Sequence, residues 1–200
     1  MKTSLRQRFL KLVYPIFMWL NKVIGRNARH LENIHKTQPI HSFYDLKATS
    51  NDGTDIDFSS FKGKKVLLVN TASNCGYTGQ YDQLEQLYLE YRDKLVVIGF
   101  PANDFKGQEK GTDEEIAAFC KINYAIKFPL TQKTVVVKKP EQDPIFQWLS
   151  DPSRNGWCDK APSWNFSKYL VTEQGVLADY FGSSISPLDE VVLKAINSPL

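Results

Sequence analysis

Two hundred residues, 42% hydrophobic and 24% charged, suffice for one soluble globular domain with an ordinary buried core and short extensions. The net charge of +3 hides a division: residues 1–31 hold Lys2, Arg6, Arg8, Lys11, Lys22, Arg26 and Arg29 and no acid, which leaves −4 on the remainder. A mildly acidic body does not suit nucleic acid, and only the N-terminus invites an anionic partner, a membrane surface above all. Cys75, Cys120 and Cys158 are too few and too dispersed for a disulfide scaffold. No Cys-x-x-Cys occurs, and His30, His35 and His41 fall in an irregular N-terminal stretch, which disfavours a zinc site.

From the N-terminus, a basic flank precedes the apolar run Leu12 to Leu20, nine residues against the roughly 17–25 that span a bilayer. Residues 1–26 read as an interfacial anchor, an uncleaved or cryptic export signal, or a solvated extension. Arg26 to Pro39 reads as a polar linker, so that residues 1–40 form an extension and residues 41–200 a domain. Phe43, Leu46, Ile56 and Phe58 flank Asn51-Asp52-Gly53, a hairpin turn signal. Val66 to Val69 reads as a strand buried on both faces, and Leu95 to Phe100 as a second. Between them Tyr81, Leu84, Leu87, Tyr88 and Tyr91 recur at helical spacing over Tyr81–Arg92, which predicts a right-handed parallel crossover.

Farther on, Thr112 and Glu115 form a capping box ahead of a helix bearing Ile116, Phe119 and Cys120. Val135-Val136-Val137 reads as a short edge strand and Pro144 to Leu149 as a short helix. Lys168–Val171 and Val176–Tyr180, joined by Glu173-Gln174-Gly175, read as a second hairpin, and Ser186-Pro187 as the cap of a final helix. The sum is an α/β protein with a thioredoxin-like fold: a central mixed sheet flanked by helices, with an extra N-terminal β-hairpin. In such sheets function gathers at the carboxyl ends of parallel strands, which brings Cys75 and the Asn103-Asp104 loop together, with Trp164 and Asn165 within reach.

Cys75 follows the first buried strand, in Asn70-Thr-Ala-Ser-Asn-Cys-Gly-Tyr-Thr78, just before a helix. Unpaired amide N–H groups and the positive end of the helix dipole favour thiolate there, and hence a nucleophile open to small oxidants. These residues resemble the glutathione peroxidase family, in its cysteine-containing, thioredoxin-dependent branch. Asn70 to Thr78, Phe100-Pro-Ala-Asn-Asp-Phe105 with Gly107-Gln108-Glu109, and Trp164-Asn-Phe-Ser-Lys-Tyr-Leu-Val171 carry the resemblance, which runs from about His41 to Asn197.

The resemblance implies a thiol peroxidase that reduces hydrogen peroxide and organic or lipid hydroperoxides in the response to oxidative stress. Cys75 would become a sulfenic acid, with Trp164 and Asn165 donating hydrogen bonds around its sulfur. Cys120, 45 residues later, stands where thioredoxin-linked members carry a resolving cysteine. The resemblance implies no cofactor or metal, only an external thiol donor, thioredoxin or glutathione. Set on separate helices, the two sulfurs are not expected within bonding range, so local unwinding of the 112–121 helix is expected to precede their disulfide. Cys158 reads as an incidental thiol, with a backup resolving role open.

One residue departs from the family: Asp104 replaces a glutamine, and an ionised carboxylate cannot donate to a thiolate. Either Asp104 is protonated, or it turns away toward Lys106 with Asn103 or Gln108 taking its place, or activity is weak; the turned-away form is the expectation. The alternative to an enzyme is a redox sensor or relay that uses the Cys75–Cys120 disulfide. The expected location is the cytoplasm, with membrane association through the N-terminus or export as alternatives.

Overall fold

A computed structural model describes residues 28–198 together with Phe9, Leu12, Val13, Tyr14, Ile16 and Leu20. Most of the 1–26 anchor or signal therefore lies outside the described residues. The framework is a five-stranded mixed sheet built from β1 (His30–Glu32), β4 (Lys65–Thr71), β5 (Leu95–Pro101), β6 (Lys168–Val171) and β7 (Leu177–Phe181), in the order β1-β7-β6-β4-β5. Only β4 and β5 run parallel; β4–β6, β6–β7 and β1–β7 are antiparallel. A separate hairpin, β2 (Lys47–Thr49) with β3 (Asp55–Asp57), closes around Asn51-Asp52-Gly53, where Gly53 takes φ 87°. The expected thioredoxin-like sheet with its extra hairpin is the architecture observed.

β4 is the axis of the molecule, buried along its whole length. The two-residue alternation sends Leu67 and Val69 into one apolar cluster and Val66 and Leu68 into the other, so both faces must be covered. On the Leu67 face lie α1 (Gln80–Tyr91), α2 (Asp113–Tyr124) and α5 (Glu190–Asn197), whose Tyr81, Leu84, Ile116, Cys120, Val192 and Ile196 belong to that cluster. The Leu68 face meets α3 (Pro144–Leu149), through Ile145, Phe146 and Trp148. A four-residue helix, α4 (Pro152–Asn155), follows directly. The capping box at Thr112 and Glu115 is formed, and Ala125 ends α2 in the left-handed region at φ 51°.

Three expectations are corrected. Arg26–Pro39 is not only a linker, because β1 extends the sheet inside it. His30 stacks on Phe181 at 4.8 Å and its Nε2 lies 2.8 Å from the Asp179 carboxylate, so side-chain contacts hold a strand too polar to announce itself. Val135–Val137 is not a strand: the Val136 N–H donates to Asp104 and the Val135 carbonyl accepts from Asp143, which leaves no ladder. The last helix is capped by Asp189, while the Ser186 hydroxyl accepts from Leu188 N–H and donates to Gln83.

Candidate active site

The chain leaves β4 at Thr71 and turns through Ser73, Asn74 and Cys75 before α1 begins at Gln80. That turn is fastened from two directions. From the β5–α2 loop, the Glu109 carboxylate accepts from both the backbone N–H (2.7 Å) and the hydroxyl (3.0 Å) of Ser73, and the Gln108 carbonyl accepts from Asn74 N–H at 3.0 Å. Lys106 and Gly107 both take positive φ, 54° and 61°, which bends the loop back toward the turn. From the other side, the approach to β6 is held by Asn70. Its amide donates to the Trp164 carbonyl at 3.1 Å, and its side-chain oxygen accepts from Ser167 N–H at 2.9 Å. These bonds hold Phe166 at φ 65° and deliver Trp164 and Asn165 to the sulfur.

The Cys75 sulfur accepts from Tyr77 N–H at 3.4 Å. Burial pushes its thiol above the ordinary range, while hydrogen bonds from Tyr77 N–H, the Asn165 and Trp164 side chains and Gly76 N–H pull it back. Burial wins, with 1% of the residue exposed. The expectation of a sulfur open to small oxidants is thereby corrected, because the donors are in place but Cys75 is buried and desolvation opposes them. The second N–H of the Asn165 amide donates to Gln108 Oε1 at 2.8 Å, which brings Gln108 into the site one bond removed from the sulfur.

Asp104 has turned away. Its carboxylate accepts from Val136 N–H at 2.8 Å and pairs with Lys139 at 3.2 Å, with 6% of its side chain exposed. The residue expected to draw it off, Lys106, instead lies over the Trp164 ring at 5.6 Å, beside the Phe105 ring. Asn103 is occupied too, its side-chain oxygen accepting from Glu109 N–H. Of the two substitutes weighed for glutamine, Gln108 is therefore the one in contact with the site.

Cys120 lies on α2 in the same apolar cluster as Cys75, free and 1% exposed. Burial pushes its thiol up to about 12, opposed by a hydrogen bond with Tyr81 and reinforced by the Glu109 charge. Cys158, raised by burial to about 11, sits in the cluster on the opposite face of the sheet. That position removes the backup resolving role. Glu109, which sequence reasoning quoted without a role, is the buried carboxylate of the site, raised to about 7 by burial against its Ser73 bonds. Its sequence signal was only a Gln-Glu pair after a glycine; the partner lies 36 residues away. Among the described residues no group of three His, Cys, Asp or Glu is placed to hold a metal ion.

A thioredoxin-like sheet that carries a cysteine at the carboxyl end of a parallel strand, amid amide and indole donors, defines a thiol oxidoreductase. The chain belongs to the glutathione peroxidase family, whose model matches residues 43–150. It is 44% identical over 146 residues to a glutathione peroxidase-like peroxiredoxin of Schizosaccharomyces pombe, covering 72% of this chain and 91% of that protein. It is 40% identical over 147 residues to the glutathione peroxidase homolog BsaA of Staphylococcus epidermidis, covering 73% and 92%. Among solved structures, one titled as Trgpx in apo form aligns with TM-score 0.59 and 33% identity over 80% of this chain and 98% of that one. A Corynebacterium diphtheriae DsbF homologue, at TM-score 0.60 and 15% identity, shares the fold alone. The protein is an oxidoreductase that acts on peroxides.

Asp104→Ala should lower stability by about 1–3 kcal/mol, since the buried Val136 N–H loses its acceptor, and should leave the Cys75 pKa where it is. A drop in that pKa, followed by thiolate absorbance, would show that the carboxylate does reach the sulfur. Glu109 supplies a pH signature of known sign. Its folded pKa of about 7 exceeds the ordinary 4.5, so the folded state holds a proton that the unfolded state releases. Stability should fall by roughly 3 kcal/mol as pH rises from below 4.5 through 7. Denaturant midpoints should show that slope, and Glu109→Gln should flatten it.

Proposed function

We propose that this chain reduces hydrogen peroxide and organic hydroperoxides in two sulfur steps, in defence against oxidative stress. Cys75 attacks one peroxide oxygen and the O–O bond breaks. The proton that Cys75 gives up leaves with the other oxygen as water or alcohol, and the sulfur becomes a sulfenic acid. Tyr77 N–H, Trp164 and Asn165 stabilise the negative charge that develops during attack, and Gln108 orients the Asn165 amide. Cys120 then displaces hydroxide from the sulfenic sulfur, which gives a Cys75–Cys120 disulfide and water. A dithiol protein of the thioredoxin kind reduces it more readily than glutathione does. The observation that carries this reading is a cysteine sulfur surrounded by four donors, with a second thiol in the same apolar cluster.

Resolution requires α2 to open. Packed, the Cys120 thiol holds its proton up to about pH 12; exposed by unwinding, it returns to the ordinary range and becomes nucleophilic. The burial of Cys75 favours one further reading, a slow redox sensor whose disulfide is read by a partner. Stopped-flow oxidation separates the two, because a sensor meets hydrogen peroxide no faster than free cysteine does.

Cys120→Ser should abolish thioredoxin-supported turnover, by a hundredfold or more, while sparing the first oxidation. Mass mapping after one equivalent of peroxide should find Cys75 paired with Cys120 in the parent chain, and glutathione-driven turnover at an equal rate would reverse the choice of donor. Because burial raises the Cys75 pKa, the rate of that first oxidation should keep climbing with pH beyond 9. A plateau near neutrality would mean that the donors outweigh burial in solution.

A further inference from the structure

The described N-terminal residues Phe9, Leu12, Val13, Tyr14, Ile16 and Leu20 are all helical. Four of them are large, apolar and bare: Phe9, Leu12, Ile16 and Leu20 are 63, 76, 62 and 44% exposed. On a regular helix of 3.6 residues per turn, positions 9, 12, 16 and 20 share an arc of about 80° and position 14 lies opposite. Tyr14 is buried. Its hydroxyl donates to Gln83 on α1 at 2.9 Å, and its ring lies so close over Gly79 that a Cβ there would clash with it. One side of the segment is thus latched to α1 at the turn that carries Cys75, and this fixes which side faces outward. The cations are concentrated here as well: Lys2, Arg6, Arg8, Lys11, Lys22, Arg26 and Arg29, with no acid before Glu32.

We infer that Phe9, Leu12, Ile16 and Leu20 form a docking face for an anionic phospholipid surface, held by Tyr14 against the helix that follows the peroxidatic cysteine. An apolar stripe immersed at the level of the headgroups, with surrounding lysines and arginines near the lipid phosphates, is the arrangement of an interfacial helix. No helix among the described residues is long and apolar enough to cross a membrane. A second copy of the chain is the weaker occupant, since two N-terminal stretches that each carry seven cations and no acid before Glu32 would repel. Docking does not depend on the sulfur chemistry; it places that chemistry beside the bilayer.

The full chain should co-sediment with phosphatidylcholine vesicles that contain phosphatidylglycerol, bind pure phosphatidylcholine vesicles at least about tenfold more weakly, and lose binding as salt rises. The four-serine variant Phe9→Ser, Leu12→Ser, Ile16→Ser and Leu20→Ser alters exposed side chains only. It should lose at least about tenfold in vesicle partition while turning over soluble hydrogen peroxide at the parent rate. The inference is overturned if the parent chain stays in the supernatant, if it binds neutral and anionic vesicles alike, or if the variant sediments as the parent does. Sedimentation velocity that shows a dimer of the parent chain, dissociated in the variant, would also overturn it by assigning the face to a second copy. Loss of peroxidase activity with vesicle binding intact would strike only the sulfur mechanism.

Discussion

Asn70 ties the two halves of the site together. Its side-chain amide and carbonyl, with its backbone carbonyl, hold Trp164, Ser167 and Phe166 across 94 to 97 residues of sequence, and no part of Asn70 is exposed. A buried amide left without partners would cost about 1–3 kcal/mol, so the turn that presents Trp164 and Asn165 cannot shift without orphaning it. Cys75 leaves the same strand five residues later, and the Glu109–Ser73 bonds fix the path between. The sulfur and its donors are therefore set by the carboxyl end of β4.

The burial that organises this site also restrains it. Cys75, Cys120 and Tyr81 pack in one apolar cluster, where desolvation favours the neutral form of each. Packing stabilises α2 and keeps the Cys120 thiol protonated by the same means. Local stability and thiol acidity are then linked, because whatever loosens α2 also returns the Cys120 pKa toward the ordinary range. Glu109 lies within this arrangement: its charge raises the Cys120 pKa, while its carboxylate holds the Cys75 turn.

Most of the frame was legible because it depends on local pattern. Val66–Val69 could only be a strand covered on both sides, and the spacing from Tyr81 to Tyr91 could only be a helix packed by one face. What escaped depends on partners distant in sequence. β1 rests on His30 meeting Phe181 and Asp179. Asp104 turned from the sulfur as foreseen, but toward Lys139, thirty-five residues on, where sequence proximity suggested Lys106. The burial of Cys75 escaped for the same reason: amide dipoles can be read from a motif, whereas the apolar side chains that bury a sulfur arrive from elsewhere in the chain.

The position of Cys158 has a consequence for how this molecule can be followed in solution. Separated from Cys75 and Cys120 by the sheet itself, it is held in place by Asn155, which bonds both its N–H and its carbonyl. An alkylating reagent therefore meets three buried sulfurs in two layers, Cys75 and Cys120 on one face of the sheet and Cys158 on the other. The third thiol stands apart from the other two, so its labelling reports on the opposite layer of the molecule.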